Sequence, residues 1–248
     1  RKLAISEVFY SIQGEGKTQG INAIFLRLQS CNLQCGGIGT TKDQKLHNGA
    51  TWRCDTIEVW LKGEAIETSR LAEIFEQKGW LSRLKTGTHL VITGGEPLLQ
   101  QKPIIEFVKL LEEQYGAKPF LEIETNGTIL PTKTMIKITD LFNCSPKLKN
   151  SGELLPRRYK PEVVSQLINT HKTIFKFVMD KKEDWEEIKT EWVNTLNIPL
   201  KLIYLMPSAD NDWILKRNSQ IVSEICIQNN INFSNRLQVQ LWNKTTGV

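Results

Sequence analysis

The chain has 248 residues, of which 40% are hydrophobic, and this is enough for one domain with a sizeable core. No apolar run approaches the roughly 20 residues that a membrane-spanning helix needs. Because the first residues read as a strand-like segment, we expect no signal peptide. The net charge of +5 is spread along the chain, so we expect no membrane partner and no direct binding of nucleic acid.

Strand-like apolar runs alternate with helical patterns along the chain. The predicted strands are 23–28, 89–93, 120–125, 136–142, 174–179, 200–205 and 237–241, and the predicted helices are 69–78, 103–115, 161–171, 184–196 and 212–229. This alternation predicts an α/β fold with a parallel sheet and right-handed crossovers. About six parallel strands favour a partial, incomplete TIM-like barrel over a closed one. We expect a single domain over residues 1–248, with a loop insertion at about 36–53.

Three cysteines follow the predicted strand 23–28 in a C-x3-C-x18-C pattern: Cys31, Cys35 and Cys54. Clustered thiolates usually hold a metal, because soft sulfur selects iron–sulfur clusters, zinc or copper(I). Three ligands leave one position open, which suggests chemistry, although His47 in the same loop would complete a closed zinc site. The total of five cysteines argues against a disulfide framework and for a reducing cytoplasm.

Glycine, proline and polar residues cluster where the predicted strands end. Strand 89–93 runs into TGGEP, 120–125 into NGT, 136–142 into NCSPK and 200–205 into MPSAD. Because parallel α/β folds place their sites at the carboxyl ends of strands, these turns predict one common site. Gly94 and Gly95 leave room for a ligand to approach the backbone, although a tight turn explains such a pair equally well. Glu122 and Glu124 share one face of their strand, and they line the site if that strand is internal.

These motifs resemble a known family. Three cysteines after one strand, the third in CDT, with GGEP after the next strand, are similar to the radical S-adenosylmethionine superfamily. The segments VFYSIQGEGKTQG, FLRLQSCNL, ETNGT, SPK, KFV and RLQVQ resemble in particular the 7-carboxy-7-deazaguanine synthase family. The resemblance implies a carbon–nitrogen lyase of 7-deazapurine and queuosine biosynthesis. It would convert 6-carboxy-5,6,7,8-tetrahydropterin to 7-carboxy-7-deazaguanine with loss of ammonia, through a radical generated from S-adenosylmethionine.

The resemblance also implies cofactors and the residues that hold them, with no catalytic side chain beyond these. Cys31, Cys35 and Cys54 are expected to bind a 4Fe-4S cluster, in a loop enlarged from the family's common C-x3-C-x2-C spacing. Thr56 is expected to supply its hydroxyl to Mg²⁺, which prefers oxygen, and a helix N-cap is the other interpretation. The residues expected to bind S-adenosylmethionine are Arg53, Asp55, Gly94, Gly95, Glu96, Glu124, Ser145, Pro146, Lys147, Met206, Pro207, Ser208 and Ala209.

A further set is expected, from the resemblance, to contact the pterin: Ile12, Gln13, Gly14, Glu15, Arg27, Thr93 and Val248. Arg27 interrupts an apolar strand, where an unpaired charge is costly. A substrate carboxylate would give its guanidinium a bidentate partner, and an ion pair inside the protein is the alternative. Val248 is expected to reach the substrate through its backbone or α-carboxylate, whereas a frayed tail is the ordinary behaviour of a chain end.

The resemblance implies a flavodoxin-type reductant and a homodimer. Two other functions stay open from the residues: a radical enzyme that activates a glycyl-radical protein, and a zinc protein without radical chemistry. SIQGEG and the lack of a second cysteine cluster argue against the activating enzyme. Incorporation of an iron–sulfur cluster, as opposed to stoichiometric zinc, separates the radical enzymes from the zinc protein.

Overall fold

A computed structural model describes residues 1–40, 45–245, 247 and 248. The strands are β1 (Lys2–Ile12), β2 (Asn22–Leu28), β3 (Glu64–Glu67), β4 (His89–Gly94), β5 (Phe120–Thr125), β6 (Leu141–Cys144), β7 (Thr173–Met179), β8 (Ile203–Pro207) and β9 (Asn232–Phe233). The α-helices are α1 (Ile57–Trp60), α2 (Thr68–Gln77), α3 (Trp80–Lys85), α4 (Gln101–Tyr115), α5 (Lys133–Ile138), α6 (Leu155–Arg158), α7 (Pro161–Asn169), α8 (Lys182–Glu187), α9 (Asp212–Asn229) and α10 (Leu237–Trp242). Short 3-10 turns lie at Gly16–Thr18, His47–Gly49, Pro97–Gln100, Lys149–Ser151 and Leu200–Leu202, and a π-helical segment, Ile188–Asn194, continues α8. Within these ranges, no helix is both long and apolar enough to span a bilayer.

The strands form one mixed sheet with the order β3-β1-β2-β4-β5-β6-β7-β8-β9. β1 is antiparallel to both β2 and β3. From β2 to β9 in this order, neighbouring strands are parallel. Parallel neighbours need crossover connections, which the intervening helices and loops supply, and so the carboxyl ends of these strands share one edge. The predicted α/β class and mainly parallel sheet are confirmed.

The core lies between the sheet and its helices. In β4, Leu90 and Ile92 are fully buried in the main hydrophobic cluster, as an apolar run in an internal parallel strand requires. On α4, Phe107 is fully buried and makes an edge contact with Phe75 of α2 at 5.3 Å between ring centroids. α4 ends at Gly116 (φ 61°), in the left-handed conformation that glycine adopts readily.

Three predicted strands differ from the structure. The strand predicted at 136–142 is wrong in its first half, because the Thr132 hydroxyl caps a helix there and β6 starts only at Leu141. The strand predicted at 237–241 is wrong throughout, since these residues form α10. Their alternation of apolar residues with glutamine has the period of a strand, but the Val239 side chain alone is buried, in a small cluster with Leu215. The strand predicted at 200–205 begins later, at Ile203.

Candidate functional site

A cavity of ≈ 510 Å³ opens where the parallel strands end. Its wall takes residues from the carboxyl ends of β2, β4, β5, β6, β7 and β8, as the turn motifs predict. The wall contains the three predicted cysteine ligands, Thr56, and the predicted binding residues Ile12, Gln13, Gly14, Glu15, Arg27, Arg53, Asp55, Thr93, Gly94, Gly95, Glu124, Ser145, Lys147, Met206, Ser208, Ala209 and Val248. Glu96, Pro146 and Pro207 do not line it.

The enlarged cysteine loop folds back on itself, so that Cys54 N donates to Cys35 O at 3.1 Å. A second turn, Lys149–Ser151, braces the loop. Gly36 N donates to Ser151 O at 2.9 Å, and Trp52 Nε1 donates to Asn150 Oδ1 at 2.9 Å. The middle of the predicted 36–53 insertion, residues 41–44, lies outside the described residues. The ends of the loop are thus held close enough to bring the third cysteine to the cavity.

The three thiols line one cavity wall. In the described parts of the chain, no three His, Cys, Asp or Glu side chains are grouped tightly enough to hold one metal ion. In a 4Fe-4S cluster each thiolate binds a different iron, so the sulfurs need not converge on one point. His47 does not line the cavity that the cysteines line. Burial raises the pKa of Cys31 to about 11 and of Cys35 to about 12, so both thiols would release their protons on binding metal.

The TGGEP turn packs directly on the end of β2. A Cβ on Gly94 (φ +129°) would lie 2.2 Å from Leu28 O, and a Cβ on Gly95 would lie 1.9 Å from Ser30 O. Both glycines are therefore required for the close approach of this turn to the cysteine loop. The two motifs that carry the resemblance thus meet in space.

Glu96 lies behind the cavity wall and joins this turn to the next one. Its carboxylate is fully buried and accepts hydrogen bonds from Leu98 N, Thr125 Oγ1 and Asn126 N at 2.7–3.0 Å. Burial raises the pKa of Glu96, and these donors oppose that rise. In the structure its side chain therefore orders the turns after β4 and β5.

The Glu124 carboxylate is bonded to residues from two other parts of the cavity wall. Its carboxylate accepts from Thr93 Oγ1 at 2.7 Å and from Gln13 Nε2 at 3.3 Å. Glu122 on the same strand is fully buried and bonds to His89 Nδ1 at 2.6 Å. β5 is internal, yet only Glu124 of the two lines the cavity, so the expectation that both carboxylates line the site is wrong for Glu122.

Glu15 lies in a buried group of charges that the sequence did not reveal. Its Oε2 pairs with Lys176 Nζ, and its Oε1 accepts from Arg236 Nε at 3.2 Å and from Gln238 Nε2 at 2.7 Å. Burial alone would raise the pKa of Glu15, but Lys176 and Arg236 outweigh it and hold that pKa at about 2. The carboxylate is therefore ionised, and it is rigidly placed.

Arg27 makes an ion pair inside the protein and also lies in the cavity wall. It lines the cavity, and it also pairs with Glu7, its direct neighbour across the β1–β2 ladder, at 2.6 Å between Nε and Oε1. Because the pair is made through Nε, the two Nη groups form a separate edge of the guanidinium. That edge has the fork geometry that suits a carboxylate.

The loop from Arg53 to Thr56 lies between the cysteines and α1. Arg53 pairs with Glu58, with 3.0 Å between Nη1 and Oε2, and Asp55 accepts from Arg236 Nη2 at 2.6 Å. Thr56 occupies the N-cap position of α1, but its side chain makes no capping hydrogen bond. Its hydroxyl lies 3.5 Å from Cys54 Sγ instead, so the structure does not support capping as its role.

Three more of the predicted residues line the cavity, namely Ser145, Lys147 and Val248. Lys147 Nζ donates to Ser145 Oγ at 2.9 Å, within the SPK motif. Val248 O accepts from Ser11 Oγ at 2.6 Å, which fixes the last residue against β1 beside the cavity. Val248 is therefore positioned at the cavity wall.

Several residues of the wall were not predicted, namely Asn126, Asn143, Lys176, Arg236 and Gln238. Lys176 carried a usable signal. It is a charged residue in the apolar strand TIFKFVM and, like Arg27 in β2, would be costly to bury without a partner. Arg236 and Gln238 lie in RLQVQ, where the assumption of a strand hid their approach to Glu15. Asn126 begins the NGT turn, which the sequence placed at the common site, but it was given no role of its own.

Comparisons with known proteins agree with this geometry. A family model for a 4Fe-4S single cluster domain matches residues 12–145. The chain is similar to 7-carboxy-7-deazaguanine synthases from Pyrobaculum aerophilum (28% identity, 99% of this chain and 97% of that protein) and Rhodopirellula baltica (31%, 99% and 89%). It is also similar to the synthase from Aquifex aeolicus (31% identity, 90% and 85%). The fold is similar to the crystal structure of QueE from Escherichia coli, with a TM-score of 0.62, 25% identity, and 94% and 93% of the two chains covered.

Proposed function

Because the chain belongs to the 7-carboxy-7-deazaguanine synthase family, we propose that its cavity converts 6-carboxy-5,6,7,8-tetrahydropterin to 7-carboxy-7-deazaguanine with loss of ammonia. The observation that carries this proposal is the meeting of two sets of residues in one cavity. Cys31, Cys35 and Cys54 lie in the same wall as the loop Gln13–Glu15. An enzyme with this activity needs its radical source and its pterin site to share one enclosed space.

The chain's residues fit an iron–sulfur cluster and S-adenosylmethionine. The three cysteines would hold the cluster, whose fourth iron is left for the methionine end of the cofactor. When bound, the two groups supply the one-electron chemistry that removes a hydrogen atom from the substrate. Gly94 and Gly95 expose backbone near the cysteine loop, and Ser145 and Lys147 present polar groups on the adjoining wall. Met206, Ser208 and Ala209 form the facing side, at the end of β8.

Mg²⁺ is assigned to Thr56. A hard cation such as Mg²⁺ prefers oxygen ligands and keeps several waters. One protein hydroxyl is therefore enough when water and the bound substrate supply its other ligands. The hydroxyl of Thr56 makes no capping bond and points toward Cys54. These two facts support the assignment.

The pterin lies, in this proposal, against the loop Gln13–Glu15, with its carboxylate toward Arg27. The Nη edge of Arg27 offers a planar fork to the carboxylate, while Glu7 holds the Nε edge. Glu15 already accepts from Lys176, Arg236 and Gln238, so it orients the loop and contributes negative charge near the ring. Val248 closes the rim next to Ser11.

Several wider features belong to the same proposal. We propose that the sheet curves as an incomplete barrel, which is supported by the pairing of Glu15, after β1, with Lys176 in β7 across the sheet order. The chain would act as one domain over residues 1–248, as a homodimer, in the cytoplasm, with a flavodoxin-type protein as reductant. A glycyl-radical activase and a zinc protein are not favoured by the comparisons.

Anaerobic reconstitution with iron and sulfide tests the proposed function. The expected result is a brown protein whose absorbance bleaches on reduction and which, with S-adenosylmethionine, Mg²⁺ and the tetrahydropterin, forms 7-carboxy-7-deazaguanine and ammonia in equal amounts. Cys54→Ala is the matched inactive variant. Stoichiometric zinc without colour, or a cluster-loaded protein that leaves the pterin unchanged, contradicts the proposal.

A further inference from the structure

One arginine joins three parts of the cavity wall that are far apart in the sequence. Arg236 Nε donates to Glu15 Oε1 at 3.2 Å, Arg236 Nη2 donates to Asp55 Oδ2 at 2.6 Å, and Arg236 Nη1 donates to Ala209 O. Glu15 belongs to the loop Gln13–Glu15, which the proposed function places against the pterin and which we call the pterin loop. Asp55 lies between Cys54 and Thr56, and Ala209 follows the end of β8. Each of the three guanidinium nitrogens thus donates to a different part of the cavity wall.

The chain around Arg236 strengthens this connection to the pterin loop. Leu237 N donates to Gly14 O at 2.9 Å, and the Gln238 amide packs so closely on Gly14 that a Cβ there would lie 1.9 Å from its Oε1. On the other side, Gly16 N donates to Ser234 Oγ at 2.8 Å. The segment 234–238 therefore forms a fitted support for the loop 13–16.

The ion pair between Arg236 and Asp55 joins a mostly buried side chain to a half-exposed one. The Arg236 side chain is only 12% exposed, whereas that of Asp55 is 50% exposed. A guanidinium can hold two carboxylates and a carbonyl at once because its donors lie in one plane and point in different directions. A lysine ammonium, with one nitrogen, cannot reach the same three acceptors from this backbone position.

We propose that Arg236 is a positioning residue that fixes the pterin loop relative to the loop bearing Cys54 and Thr56. This rests on the proposed function. It adds a residue that keeps the substrate-binding loop at a fixed distance from the loop that holds the cofactors. Misplacement of a substrate by about 1 Å is enough to reduce catalysis strongly. Without Arg236, the hydrogen atom to be removed would no longer lie reliably opposite the radical source, although both ligands would still bind.

Three proteins, each cluster-loaded, test this role: the native chain, Arg236→Gln and the control Arg70→Gln. Arg70 pairs with Glu73 at 2.7 Å on the exposed face of α2, away from the cavity. For Arg236→Gln we expect native iron content and a native change in the electron paramagnetic resonance spectrum of the reduced cluster on adding S-adenosylmethionine. We expect the Kd for the tetrahydropterin, measured by calorimetry, to rise about tenfold, as for the loss of one charge-assisted contact. We also expect 5′-deoxyadenosine released per product formed to rise at least about fivefold, because a loosened geometry uncouples cofactor cleavage from turnover. Arg70→Gln should match the native protein in every measurement.

A second set of variants keeps the test decisive if Arg236→Gln folds poorly. Arg236→Lys, Asp55→Asn and their double variant form a cycle in which residues that act together give non-additive effects. Uncoupling in Arg236→Lys, with no further increase in the double variant, supports the role. Native coupling and native pterin affinity in Arg236→Lys, or additive effects in the cycle, overturn it. If the native enzyme itself does not convert the pterin, the proposed function has failed; if it does and the Arg236 variants match it, only this inference has failed.

Discussion

Replacing Lys176 by methionine should destabilise the protein, because Lys176 is a buried cation that neutralises a buried carboxylate. Lys176 is 5% exposed and pairs with Glu15, whose side chain is 15% exposed. The pKa of Glu15 is held at about 2 against an ordinary 4.5, and Lys176 is the first of the groups that lower it. A difference of that size corresponds to ~3 kcal/mol of interaction between the ionised carboxylate and its partners. Arg236 and Gln238 remain in Lys176→Met, so we expect about 2–3 kcal/mol lost from the free energy of unfolding at pH 7.

The pH dependence gives this prediction a sign. A carboxyl whose pKa is depressed by folding contributes stability that is fully present above its unfolded pKa of 4.5 and is lost as the pH falls toward about 2. In Lys176→Met the pKa of Glu15 is depressed less or not at all, so this contribution shrinks. The difference in unfolding free energy between the native chain and Lys176→Met should therefore be largest at pH 7 and clearly smaller at about pH 3.5.

The measurement is urea unfolding of the metal-free protein under reducing conditions, at both pH values. Lys182→Met is the matched control, because Lys182 pairs with Glu224 at 4.0 Å on the exposed surface and should change the stability by less than about 0.5 kcal/mol. The double variant Glu15→Gln, Lys176→Met should recover part of the loss, since it no longer buries an unpaired charge. A Lys176→Met protein as stable as the native chain at pH 7, or a deficit that does not shrink in acid, would refute the reasoning.

Four other expectations concern the proposed cofactors and substrate. Cys35→Ala should lose both cluster assembly and turnover, as iron analysis and product assays will measure, and a variant with full iron content and activity would contradict the ligand assignment. Thr56→Ala should weaken activation by Mg²⁺ and leave the cluster spectrum unchanged, so an unaltered Mg²⁺ titration would remove Thr56 from the metal site. Arg27→Lys should raise the Kd for the pterin, since a charge-assisted hydrogen bond contributes ~1.5–3 kcal/mol, and a change below about threefold would argue for a purely structural pair with Glu7. Removing residues 245–248 should raise the KM for the pterin or lower kcat without loss of iron, whereas native kinetics would make the end of the chain a dispensable tail.

Features encoded by short stretches of sequence were predictable. Apolar runs such as HLVIT gave strands close to their observed bounds, and the turn TGGEP follows β4 as expected. Because parallel strands end at one edge, turns that are far apart in the sequence had to meet, and they line one cavity. The local strand and turn signals and the parallel topology therefore predict the same arrangement.

Pairings between distant segments were not predictable in the same way. Glu15 and Lys176 are separated by 161 positions, and Glu15 and Arg236 by 221. The sequence indicates that a lysine inside β7 needs a partner, but it does not say which carboxylate will reach it. The C-terminal segment adds a second reason. LQVQL has the period of a strand, yet it forms a helix in which Leu237 N donates to Gly14 O and Val239 packs with Leu215.

The enlarged cysteine loop shows why an insertion need not disturb the site it interrupts. The loop carries 18 residues between Cys35 and Cys54, but Cys54 N still bonds to Cys35 O at 3.1 Å, so the two ends are adjacent. The entropic cost of closing a loop grows only slowly with its length, by about 0.6 kcal/mol for each doubling. A few fixed contacts offset such a cost, and Asn150 provides them: it accepts from Trp52 Nε1 and donates to Val178 O and to the buried Asp184 at 3.0 and 3.1 Å. The position of the third cysteine is therefore set by the anchored ends of the loop rather than by its length, so a C-x3-C-x18-C pattern still brings all three thiols to one cavity wall.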